Sequence, residues 1–329
     1  MAVGPSFAVL GVLALAPVST SVGQDERDDL LEERTTLLQV AQAFSGDCRY
    51  GLEYTSWTVP LEALLPFTEG LCSDRPESVP DRAALRELLD SAPARKPGRV
   101  GERADPITEP VLHGATSLRV VASAERILQF SPDDPLFPRI LRTPGLEVNL
   151  MSGSKLYFST STQNTLFDLA ELVTPLPVTT GRQEGFRKLQ WGRGEGPAGV
   201  TLWASGRGGY PRWQFQCAAA GSLPVAAWHA LAEGGLPSLL TLLEYEEVEG
   251  GQIRLASVLR CASSGEVWRV SVFVLRGFEL GAKEEDFLLP VGRAQDIRLI
   301  QDRRDPSRPV EMRLEEIPEP WLRLLDLEG

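Results

Sequence analysis

The chain is poor in the residues that most enzymes use for acid–base and metal chemistry. Its 329 residues hold two histidines, four cysteines and three methionines. A Ser-His-Asp or Cys-His device would have to draw on His113 or His229. His113 has no Cys or carboxylate pair nearby, and His229 stands in an alanine-rich run beside Trp228. Neither neighbourhood carries a catalytic signature. No Cys-x-x-Cys spacing occurs, which argues against a zinc framework. No block of Lys and Arg occurs, and 33 cationic against 45 anionic residues leave a net charge of −12. Neutralising phosphates needs clustered cations, so nucleic acid is not expected as a partner. No cofactor is implied by any motif, no fixed-period repeat is present, and no EF-hand-like spacing of oxygens occurs. The longest apolar run near the start, residues 7–16, is half of the roughly 20 residues that a spanning helix requires, so no transmembrane span is expected.

That run is followed by Pro17 and a polar stretch ending Ser21-Val22-Gly23. An apolar core with small residues before Gln24 reads as a signal peptide over 1–23, cleaved on export. The four cysteines suit an oxidising compartment. Their spacing suggests the pairs Cys48–Cys72 and Cys217–Cys261, although four cysteines permit three connectivities. Residues 24–92 read as a helix, a strand and a second helix, with an apolar loop at 61–67. Residues 93–110, rich in Pro, Arg and Gly, read as a connector. The main domain then runs over 111–329, and 24–92 is expected to pack onto it.

The stretch with the clearest pattern is 252–290. Leu255, Ser257, Leu259 and Cys261 alternate with Arg254, Ala256, Val258 and Arg260, and Gly265 then allows a tight turn. In the return strand Trp268, Val270, Val272 and Val274 form an apolar row, with Arg269 and Ser271 pointing the other way. The row must cover a core or line a cavity. Together with Trp203 and Trp213 in other strand-like segments, it is the candidate ligand surface.

Strand patterns recur at 118–123, 127–130, 146–151, 155–160, 186–191, 200–204, 212–217, 239–248, 296–301 and 310–314. Residues 224–232, between Ser222 and Gly234-Gly235, read as a compact helix. This inventory predicts an α+β fold: a large curved antiparallel sheet, half-barrel-like, with a few short capping helices.

Three motifs have catalytic or anion-binding look-alikes. Ser152-Gly-Ser-Lys155 matches the Ser-x-x-Lys pattern of serine acylases, but it falls in a predicted hairpin turn and has no partner motifs. Gly192-Arg-Gly-Glu-Gly196 and the Gly-rich run 206–209 lack the following helix that a phosphate cradle needs, so hairpin connections are expected. The acidic runs at 244–249 and 284–286 read as solvated faces.

The run 270–296 resembles the C-terminal strand and exit of the bacterial outer-membrane lipoprotein carrier and sorting-protein superfamily. Asp286, Phe287, Leu289, Pro290, Gly292 and Asp296 carry the likeness, which extends over about 239–300. The resemblance implies an unclosed β-barrel with a concave apolar face, in the periplasm or outside the cell. It implies an apolar guest, a lipid, an acyl chain or a lipoprotein; whether the chain is an enzyme stays open, leaning against. The alternatives are an envelope interaction module with a filled core, and a hydrolase whose site is assembled from scattered residues.

Overall fold

The computed structural model describes residues 47–68, 79–94, 107–123, 125–134, 137–152, 154–160, 189–205, 209, 212–219, 222–231, 237–248 and 252–328. The expected signal peptide, the helix at 25–44, Cys72 and most of the run 206–209 lie outside these residues.

In chain order the elements are β1 (Cys48–Pro60), α1 (Leu61–Thr68), α2 (Arg82–Asp90), β2 (Val111–Ala122), β3 (Ile127–Phe130), β4 (Arg139–Thr143), β5 (Leu146–Met151) and β6 (Lys155–Ser159). After these come β7 (Gln190–Gly196), β8 (Gly199–Ser205), β9 (Arg212–Cys217), β10 (Pro224–Ala230) and β11 (Leu239–Val248). The chain ends with β12 (Gln252–Ser264), β13 (Val267–Leu280), β14 (Leu289–Arg293), β15 (Leu299–Asp302), β16 (Val310–Glu311), the short α3 (Glu319–Leu322) and β17 (Leu325–Glu328). Fifteen strands follow one hydrogen-bonded order, β16-β15-β6-β5-β4-β3-β2-β1-β13-β12-β11-β10-β9-β8-β7, and β14 pairs with β17 separately. The fold is α+β, a large unclosed antiparallel sheet with a few short helices, and β15 beside β6 is a parallel pair within it.

The described residues form two compact units. The first comprises those within 54–115 and 189–274; the second comprises those within 47–53, 116–160 and 275–328.

In the first unit β7 to β13 are antiparallel neighbours. Cross-strand register puts Trp228, Leu240, Cys261 and Val270 on one face, where Leu64 of α1 and Leu85 and Leu89 of α2 complete a core. The other face carries Leu202, Phe215 and Ala227. Asp81 caps α2 by accepting the amide of Ala84 at 3.0 Å. Residues 61–67, expected as a loop, form α1, with Pro66 inside it and Leu64 buried.

Residues 224–232 correct a second expectation: 224–230 are the strand β10, not a helix. Alanine favours helix intrinsically, but Ala226, Ala227 and Trp228 are all buried between β9 and β11. Ladder bonds on both edges and burial on both faces override the local propensity. A third correction concerns 192–196, expected as a turn. They belong to β7, and the reversal comes between Gly196 and Gly199. Gly192 is needed because Trp203 lies across it: a Cβ there would stand 1.9 Å from the indole.

In the second unit β2 to β6 run antiparallel and bury Leu141, Val148, Leu156 and Phe158, with Leu289, Ile317 and Leu325 arriving from the C-terminal segment. The Ser152 to Lys155 motif does lie in the β5–β6 turn, with Met151 paired to Lys155. That backbone does not offer the helical spacing that Ser-x-x-Lys chemistry requires.

Candidate functional site

The apolar row of β13 is packed. Trp268 and Val270 are 0% exposed and Val272 3%, and the helices α1 and α2 supply Leu64, Leu85 and Leu89 to the same core. Val274 is partly buried against that core. Trp203 and Trp213 are both half-buried. Register places Trp203 opposite Gln214, on the face of Val270, and Trp213 on the reverse face. Trp203 has the Arg212 guanidinium 4.6 Å from its ring, and Trp213 stacks on His229 at 4.9 Å. The six candidate residues therefore do not share one open surface.

The expected Cys217–Cys261 bridge is overturned. Two strands, β10 and β11, separate β9 from β12, which sets the backbones ~14 Å apart at the ordinary strand spacing. The register also puts the two side chains on opposite faces. A disulfide spans at most about 7 Å between Cα atoms. Cys261 is a free, fully buried thiol, and burial pushes its pKa up to about 12. Cys48 is buried in β1; its expected partner Cys72 lies outside the described residues.

His229 accepts or donates at Nδ1 to the Ser238 hydroxyl at 2.8 Å, and burial lowers its pKa. Among the described residues no carboxylate contacts it, so the pair lacks the third member of a triad. Among the described residues no cluster of three His, Cys, Asp or Glu could hold a metal.

Open space is found in the second unit, a cavity of about 580 Å³. Its apolar floor follows from cross-strand pairing. Arg119 stands opposite Phe130 and Val121 opposite Leu128, so β2 and β3 present all four to the same side. Tyr50 of β1 and Leu288, just ahead of β14, extend the apolar lining. Val121, Leu128 and Tyr50 are buried, and Phe130 and Leu288 half-buried. Gly51 lets β1 lie close to β13: a Cβ there would come 2.8 Å from the Arg276 carbonyl oxygen. Gly277, with φ of 65°, takes a left-handed conformation that other residues adopt at a cost.

The charged rim is organised by arginines. Arg49 donates to Glu279 at 2.8 Å and to both oxygens of Asp286 at 3.2 and 3.4 Å. Asp286 also accepts the Lys283 amide at 2.7 Å. That backbone bond, and then the Arg49 charge, hold its carboxyl below the usual range. Arg276 makes two 2.9 Å bonds to Glu53, whose carboxyl is likewise lowered. Outside the lining, Arg126 grips Glu284 with both terminal nitrogens and lies 4.9 Å above the Phe287 ring. Arg139 donates to the Pro290 carbonyl. These contacts fasten the 3₁₀ turn Glu284–Phe287 and the start of β14 to the sheet.

Of the residues that carry the likeness in 286–296, Asp286 and Pro290 reach this lining. Phe287 and Leu289 are buried in the core of the second unit instead. The rest of the lining was not singled out by sequence. Arg119 and Val121 alternate as any strand does, and only the β2–β3 register shows what they face.

Among the described residues no helix is long and apolar enough to cross a membrane. Comparison with protein-family profiles and with curated proteins finds no match. Among solved structures the chain is similar to a LolA superfamily protein from Nitrosomonas europaea, at 9% identity and a TM-score of 0.42, covering 78% of this chain and 96% of that one. It is similar to a DUF1329 family protein from Desulfovibrio piger at 8% identity and a TM-score of 0.39, covering 78% and 92%. It is also similar to an outer membrane lipoprotein-sorting protein domain from Vibrio parahaemolyticus, at 9% identity and a TM-score of 0.35, covering 80% and 97%. Similarity this low transfers no ligand and no role.

Proposed function

We propose that this chain is an exported protein of the bacterial envelope that binds an apolar or amphiphilic guest, and that the guest lies in the cavity of the second unit. The observation that carries this reading is the cavity itself: about 580 Å³ over a floor of Val121, Leu128, Phe130 and Tyr50. Six of the fourteen described lining residues are charged and the others are apolar or glycine, a mixed lining that suits an amphiphile. The apolar row of β13, the surface first expected to bind, is filled by side chains of α1 and α2. The same filled core favours a second reading, an interaction module that holds no ligand.

A fluorescent acyl probe titrated into the full mature chain separates the two. Binding is expected in the wild type and a loss of about tenfold or more in Leu288→Glu, which puts a charge in the lining at a half-buried site outside the core. Val274→Asp, in the other unit, should leave probe affinity unchanged wherever the protein still folds. A folded wild type that binds no probe and carries no co-purifying lipid by mass spectrometry would establish the interaction module.

A further inference from the structure

We infer that the guest carries an anionic head, a carboxylate or a phosphate, and that Arg119 receives it; this rests on the reading of the cavity as the ligand site. Three arginines line the cavity. Arg49 is shared by Glu279 and Asp286, and Arg276 is held by Glu53 through two bonds. The Arg119 side chain makes no hydrogen bond or ion pair with any described residue, its backbone alone being paired in the β2–β3 ladder. Among the described residues it is the one lining arginine left with its full side-chain donor set for a guest.

Its position suits a head group. Arg119 stands directly opposite Phe130 and two residues from Val121 on the same face, at the edge of the apolar floor. A chain laid over Val121, Leu128 and Phe130 would bring its head to the guanidinium. The guanidinium fork meets carboxylate or phosphate through two parallel charge-assisted bonds, a geometry that an alcohol cannot match. Of the cavity's described acids, Glu279 and Asp286 are occupied by Arg49, and Asp326 on β17 makes no hydrogen bond or ion pair with Arg119. A cationic head would meet Arg119 as a like charge.

The test uses the full mature chain and four twelve-carbon probes, dodecanoate, dodecyl phosphate and dodecyltrimethylammonium below their micelle concentrations and dodecanol below its solubility limit. Calorimetric titration at neutral pH and low salt should show at least one anion binding about tenfold or more tighter than dodecanol. The tighter of the two anions identifies the head. Arg119→Gln should erase the preference while leaving dodecanol affinity unchanged, and Arg119→Lys should restore part of it, because ammonium supplies charge without the fork. Since the Arg119 side chain is exposed and unbonded, both variants are expected to keep the wild-type unfolding midpoint. Equal affinity for dodecanol and both anions, or an equal loss for all probes in Arg119→Gln, overturns the head-group assignment and leaves the cavity reading standing. No binding by any probe overturns both.

Discussion

At the scale of single residues, two side chains test the packing of the first unit. Gly192 lies under the Trp203 indole, so a methyl at that position must displace the ring or separate β7 from β8. Gly192→Ala is expected to cost about 1–3 kcal/mol, read from the urea midpoint and from a red shift in tryptophan emission. In the background of Trp203→Leu the same alanine should cost little, since neighbouring substitutions that relieve one clash are not additive. Cys261 is the second. In the native protein it should resist thiol reagents and react only in denaturant, because its thiolate is disfavoured by burial. Its folded pKa lies above the unfolded value of about 8.5. The stabilising share is therefore complete below that pH and is lost as pH climbs towards about 12. The unfolding midpoint should fall through this alkaline window, and Cys261→Ala should flatten the fall.

At the scale of elements, α1 and α2 decide whether the apolar row of β13 is a wall or a floor. Leu64, Leu85 and Leu89 are at most 1% exposed and share a core with Trp268 and Val270. Burying such side chains removes apolar area from water at roughly 25 cal/mol per Å². Leu85→Ala is expected to lower stability by about 2–5 kcal/mol, as truncation in a filled core does. A helix held loosely as a lid would lose far less. Thermal unfolding followed by circular dichroism distinguishes the two, and acyl-probe affinity should be unaffected because the cavity lies in the other unit. The 3₁₀ turn Glu284–Phe287 contributes differently. Its acids, read from sequence as a solvated face, are paired: Arg126 lowers the Glu284 carboxyl, and the Lys283 amide and Arg49 lower that of Asp286. Lowered carboxyls give stability that is present above their unfolded pKa and lost as pH falls through the folded one. These groups are exposed enough for the share of each to be small.

At the scale of the whole molecule, export is the claim that sequence supports without any help from the fold. Residues 7–16 and the small residues before Gln24 predict cleavage there. Intact mass of protein recovered from a periplasmic or secreted fraction should correspond to a chain that begins at Gln24. Recovery of a chain that retains residues 7–16 would remove the compartment from the proposal and leave the cavity untouched. A net charge of −12 disfavours polyanionic partners at long range, so an anionic head must be received by a local cation such as Arg119.

Period-2 alternation determined the hairpin of β12 and β13, because a pleat exposes alternate residues whatever lies above it. The same signal marked β3, β5, β6, β9 and β11, and with them the α+β class. Tertiary structure decided the rest wherever a residue's role depended on a neighbour distant in sequence. Residues 224–230 became a strand because β9 and β11 offered ladder bonds on both sides. Cys217 and Cys261 were set apart by two strands that no spacing rule could count. The apolar row of β13 reads the same from sequence whether it lines a core or a cavity, and Leu64, Leu85 and Leu89 made it core. Arg119 reads as one exposed cation among many; only strand register and the pairing of Arg49 and Arg276 single it out. Alternation is local and survives in the letters. Pairing and enclosure are contacts across the chain, and they exist only once it has folded.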